Sequence, residues 1–118
     1  MSSHRVAQIS EQLRRELGPI LAQAIELPPG VLVTVTAVDV AADLQNATVW
    51  VSVLPGGDHD HVVRVLQRQA RVLHAALFSA VRFRPVPALH FRYDITEAKA
   101  ADVEALLDRL EQDPAEHP

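Results

Sequence analysis

Between His61 and Tyr93 the chain carries six arginines and three histidines, and no acidic residue. Guanidinium groups make paired, charge-assisted hydrogen bonds to phosphate oxygens, so such a stretch suits a polyanionic partner. Arg64, Arg68 and Arg71 stand at i, i+4 and i+7, a spacing that aligns them along one side of a helix. Arg82 and Arg84 follow in "RFRPVPALHFRYD", where an apolar run gives way to two prolines and a strand-like alternation. These five arginines are the candidate ligands of a polyanion's phosphates. Arg5, Trp50 and Arg92 are candidate secondary contacts.

Other chemistries find less support. "DHDH", Asp58 to His61, places two histidines beside two carboxylates, but His-x-His at a helix start points the rings apart and no third ligand is evident. A polar helix cap is the expected role, and no metal is expected. Asp39, Asp43 and Asp94 fall at strand ends, where carboxylates usually serve turns and caps instead of converging as an acid–base pair. "PGGD" lacks the lysine and spacing of a phosphate loop. With no cysteine in the chain, thiol catalysis, disulfides and cysteine-held metals are excluded. The reading is of a binding protein without cofactor, not an enzyme.

The net charge of −4 hides an asymmetry. Residues 1–93 hold nine arginines against seven acids, a balance of +2, whereas from Asp94 onward eight acids face only Lys99 and Arg109, a balance of −6. A basic part and an acidic part argue that one surface meets a polyanion while another faces away. No apolar run reaches the ~20 residues of a membrane helix, and "MSSHRVAQIS" lacks the apolar core of a signal peptide. A cytoplasmic monomer is expected.

The elements that must position these residues follow from periodicity. Val6, Ile9, Leu13, Leu17, Ile20 and Ala24 mark a helix from Ser3 to Ile25, with Ser3 as cap and a bend at Gly18-Pro19. "VLVTVTAVDV" and "ATVWVSV" alternate as two strands of an antiparallel hairpin, with a bulge near Ala37 and Val38. Ala47, Val49, Val51 and Val53 should face the core, and Trp50 the opposite side. There Trp50 can stack on a base, touch a protein, or cover an open sheet face.

Asp58 should cap a long helix from His59 to about Phe83, with Val62, Leu66, Ala70, Leu73 and Leu77 inward. Its length of roughly 25 residues exceeds the usual ~11–12, so a bend is expected near Ala75 to Ala80. "ALHFRY" is a third strand with Leu89, Phe91 and Tyr93 inward. Thr96 opens a last helix, and residues 114–118 form a frayed tail beyond a single domain of residues 1–113. A helical crossover makes the second and third strands parallel. The fold class is α+β, with helices on one face of a three-stranded mixed sheet.

Three stretches, in order and at matching separations, resemble the ribosome-binding factor A family from Arg5 to about Leu110. They are "HRVAQISEQLRREL", "TVTAVDVAADLQNATVWVSVL" and "RPVPALHFRYD", the last matching an Arg-x-x-Pro-x-Leu-x-Phe-x-x-Asp pattern through Arg84, Pro87, Leu89, Phe91 and Asp94. The resemblance implies a type II KH-like fold, α-β-β-α(kinked)-β-α. It also implies binding to the small ribosomal subunit and its RNA, assistance in late maturation near the RNA 5′ end, and a link to growth in the cold. In that family an Ala-x-Gly helix kink replaces the Gly-x-x-Gly loop by which ordinary KH domains grip nucleic acid. Aligned here, the kink falls at Gln69-Ala70-Arg71, with neither the alanine nor the glycine in place. A protein–protein adaptor of the same fold is the alternative function.

Overall fold

The computed structural model describes residues 2–55 and 58–95. Their elements are α1 (Ser2–Ala24), β1 (Leu32–Val40), β2 (Asn46–Leu54), α2 (His59–Arg68), α3 (Ala70–Ala80) and β3 (Ala88–Tyr93). The helix expected from Thr96 and the expected tail lie outside the described residues.

α1 buries Ile9, Leu13, Leu17 and Leu21, with Val6 and Ile20 partly buried beside them. This is a four-residue ridge of the kind that packs into a neighbour's groove. Ala24, expected to end the stripe, is exposed instead because the ridge runs through Leu21. Ser3 lies inside the first turn of the helix, not at its cap. Pro19 stands within α1 without ending it, with Gly18 and Pro19 both on the exposed side.

β1 and β2 pair antiparallel from Leu32↔Leu54 to Val40↔Ala47, and the register shifts between Val35 and Ala37. Thr36 is therefore the extra residue of the bulge. The connecting turn places Leu44 at φ 64, which is unusual for a branched side chain, and holds it partly buried against the core. The Leu44 amide donates to the Ala41 carbonyl at 2.8 Å, and the Asp43 carboxylate accepts from the Gln45 amide at 3.0 Å. β3 runs parallel to β2, from Asn46↔Ala88 to Val51↔Tyr93, giving the sheet order β1-β2-β3.

Alternation decides which side of the sheet meets the helices. Ala47, Val49, Val51 and Val53 are buried, as are Leu89 and Phe91. Against them lie Leu13 and Leu17 of α1, Leu66 of α2, and Leu73 and Leu77 of α3, all fully buried. α1 packs over β1 and α3, and α2 over β3. Among the described residues no element covers the opposite face, where Thr48, Trp50 and Ser52 are partly exposed and His90 and Arg92 exposed.

The long helix breaks at Gln69, so α3 runs unbroken through the Ala75–Ala80 segment where a bend was expected. No glycine or proline marks the break; a side chain makes it. The Gln69 side-chain amide donates to the Glu26 carbonyl at 3.1 Å and to the Val65 carbonyl at 3.3 Å, while its oxygen accepts from the Glu26 amide at 3.3 Å. It thereby pins the joint between the two helices to the segment linking α1 and β1.

A second glutamine closes the outer edge of β3. The Gln67 side chain donates to the Leu89 carbonyl at 3.0 Å and accepts from the Phe91 amide at 2.9 Å, occupying the places a further strand would take. Gln67→Ala removes both partners of these part-buried groups and should cost about 1–3 kcal/mol, read as a lower urea midpoint at unchanged slope. An unmoved midpoint would show that water satisfies this edge equally well.

Candidate nucleic-acid interface

Asp58 starts α2 by accepting from the His61 amide at 3.4 Å, and the turns that follow bury Val62 and Leu66. The residues between these apolar positions project outward, and among them Arg64 and Arg68 stand one turn apart, both exposed. Arg71, also exposed, lies beyond the Gln69 break in the first turn of α3. Arg82 is exposed just past the end of α3. Among the described residues, no ion pair or hydrogen bond engages any of these four guanidinium groups. The expected single helical track is thus two segments, with Arg64 and Arg68 on one and Arg71 on the next.

Arg84 is held differently. One terminal nitrogen donates to the carbonyls of Val81 at 3.0 Å and Phe83 at 2.7 Å, and the other to Phe78 at 3.0 Å. Its carbon Cζ lies 3.8 Å from the centre of the Phe78 ring. Three of its five donor hydrogens therefore satisfy carbonyls around the C-terminus of α3, a favourable place for a cation.

The secondary candidates are spread over two surfaces. Trp50 and Arg92 are register partners on the open sheet face. The Trp50 indole donates to the Asp39 carboxylate at 3.0 Å, which lays the ring along the sheet toward β1. His90 pairs there with the Asn46 side chain at 2.9 Å. Arg5 instead lines an open groove of ≈ 610 Å³ beside the first half of α1, with His4, Gln8, Gln12, Arg15 and Phe83. Arg15, not among the sequence candidates, lines the same groove; the available signal was the run Arg5, Gln8, Gln12 and Arg15 at i, i+3, i+7 and i+10, a polar stripe that drifts slowly around the helix.

The remaining polar clusters serve the fold. The Asp94 carboxylate accepts from the Thr36 hydroxyl at 2.6 Å, and the Asp94 amide donates to the Val51 carbonyl at 2.8 Å. It thus ties the end of β3 across β2 to the bulge in β1. Asp58 caps α2, as expected. His59 is half-buried and stacked on Tyr93 with ring centres 3.9 Å apart. Among the described residues no group of three or more His, Asp or Glu side chains could hold a metal ion, and no helix is long and apolar enough to cross a membrane.

A kinked helix pair and a preceding helix, all on one face of a three-stranded mixed sheet, define a type II KH-like α+β module with glutamine at the helix junction. The family follows from comparison. Residues 5–107 match the family model of ribosome-binding factor A, and the chain belongs to that family. It is 36% identical to ribosome-binding factor A of Thioalkalivibrio sulfidiphilus over 97% of this chain and 90% of that one. It is 31% identical to that of Pseudomonas fluorescens strain SBW25 over 97% and 89%.

Among solved structures, the crystal structure of ribosome-binding factor A from Thermus thermophilus superposes with a TM-score of 0.66 at 35% identity, covering 75% of this chain and 93% of that one. A homology model of the Thermus thermophilus factor, fitted into the cryo-EM map of a 30S complex, superposes with a TM-score of 0.62 at 35% identity. That comparison covers 72% of this chain and 90% of the other.

Proposed function

We propose that this protein binds the small ribosomal subunit through its ribosomal RNA and assists late maturation near the RNA 5′ end. The observation that carries the reading is a set of exposed, unengaged arginines, Arg64, Arg68, Arg71 and Arg82, within a stretch free of acids. Each can donate a bidentate fork to phosphate, and among the described residues none must first break an internal ion pair. Arg84 adds charge at the end of the set, and Arg5, Trp50 and Arg92 would make secondary contacts. Without a glycine loop to clamp bases, recognition rests mainly on the shape and backbone of folded RNA. A family relative was fitted into the map of a 30S complex, which supports the same partner for this chain. The protein would act in the cytoplasm as a monomeric assembly factor that supports growth in the cold, with no catalytic step of its own.

Deleting the gene should lead cells grown in the cold to accumulate small-subunit RNA with an extended 5′ end, mapped by primer extension. The wild-type chain should restore the mature end. Mature 5′ ends in deleted cells at normal abundance would refute the maturation role.

A further inference from the structure

The C-terminal end of α3 carries an aromatic ring that the core does not need. Phe78 is 51% exposed, although a ring of this size in a small domain usually buries most of its surface. Arg84 lies over it, with Cζ 3.8 Å from the ring centre, and such close approach requires the guanidinium to lie against the ring face. Three hydrogen bonds to the carbonyls of Phe78, Val81 and Phe83 then fix the plane of the guanidinium. The flat group is held before any ligand arrives, so little side-chain entropy remains to be lost on binding.

Its surroundings select the ligand. Arg71, Ala75 and Phe78 stand at i, i+4 and i+7 on α3, so Arg71 shares the side of the helix that presents Phe78, with only a small exposed side chain between them. Exposed Arg82 stands two residues before Arg84 in the segment that leaves α3. An exposed, immobilised aromatic–guanidinium pair, with Arg71 on the same helix side and Arg82 close by in the chain, suits a segment of single-stranded nucleic acid. Bases stack on aromatic rings and guanidinium planes, and phosphates meet the flanking charges.

We propose that the Phe78–Arg84 pair is a stacking platform for an unpaired base of RNA, with Arg71 and Arg82 on the adjoining phosphates. Arg84 acts here through its flat face, its donors being largely committed to the helix end. The proposal deepens the reading of the protein as an RNA-binding factor and rests on it. It adds a single-stranded site to a surface otherwise suited to folded backbone.

The test compares two probes of equal charge, a short labelled oligoadenylate and the same oligomer built from abasic nucleotides, binding to the full chain by fluorescence anisotropy. The wild-type protein should prefer the oligoadenylate by roughly five- to a hundredfold. Phe78→Leu retains an apolar side chain and all three Arg84 hydrogen bonds, so the fold should stand, yet it removes the aromatic half of the platform and the preference should fall at least severalfold. Arg71→Glu should instead weaken both probes alike. The proposal is overturned if wild-type protein binds the two probes equally or binds neither, or if Phe78→Leu keeps the preference. Cosedimentation with small subunits separates the two levels: subunit binding without base preference removes only the platform, whereas loss of both removes the wider reading. Salt-insensitive subunit binding that Phe78→Leu abolishes would assign the ring to a protein contact and overturn the platform.

Discussion

Phe91→Ala should destabilise the fold by about 3–5 kcal/mol, a large share of the ~5–15 kcal/mol that holds a small domain together. Phe91 is 5% exposed, lies opposite Val49 in the sheet, and belongs to the same buried cluster as Leu66 of α2. Truncation leaves a cavity beneath α2, because the Gln67 bonds to the flanking backbone keep β3 from collapsing inward. Those bonds survive the substitution, so the loss reports side-chain packing alone. At about 4–8 °C per kcal/mol, the melting temperature should drop by more than about 12 °C. A melt unchanged within error would contradict the assignment of Phe91 to the helix-facing side.

Reversing two charges on α2 should have the opposite profile, leaving the fold intact and impairing binding. Arg64 and Arg68 are exposed and, among the described residues, make no ion pair or hydrogen bond, so Arg64→Glu with Arg68→Glu should change stability by no more than about 0.5 kcal/mol per site. Each guanidinium on a phosphate contributes charge-assisted bonds, and each glutamate adds repulsion in its place. Affinity for isolated small subunits should fall by at least about a hundredfold if each site supplies the roughly 1.5–3 kcal/mol of a charged hydrogen bond. Arg14→Glu is the control, since Arg14 pairs with Glu11 beside β1, at the opposite edge of the sheet from α2. A general electrostatic effect would make the control as damaging per charge reversed, and a docked surface would spare it.

The legible parts of the molecule were those where local chemistry and tertiary structure agree. Alternation in "ATVWVSV" placed four small side chains inward and Trp50 outward, and the slip of phase in β1 announced a bulge near Ala37 and Val38, which the structure places at the neighbouring Thr36. The crossover through α2 and α3 required β3 to run parallel to β2, and it does. The helix junction was not legible from periodicity. Gln69 is an acceptable helix residue, and only its bonds to Glu26, 43 residues away in sequence, make it a joint. Alignment to the family marked that position, whereas helix length alone suggested a bend in the wrong segment.

The candidate interface divides in the same way. Exposure of Arg64, Arg68 and Arg71 followed from the apolar stripe of the helices, because an outward position is the complement of an inward one. The state of Arg84 could not be read so, since its partners are carbonyls and a ring gathered by the end of α3. Arginine near a helix C-terminus signals two roles at once, ligand and cap, and only geometry apportions them. The tie from Asp94 to Thr36 is likewise a product of the sheet, because the two residues lie 58 positions apart.

The most direct test of RNA binding is the salt dependence of affinity for isolated small subunits, measured for the wild-type chain and the Arg64→Glu/Arg68→Glu variant. Phosphate contacts release counterions, so the logarithm of the wild-type binding constant should fall linearly with the logarithm of salt concentration, by several units of slope. Losing two contacts should flatten that slope by about two units, while Arg14→Glu leaves it unchanged. Equal slopes for wild type and a folded double variant would contradict the account, placing the subunit contact on a surface other than the arginines of α2.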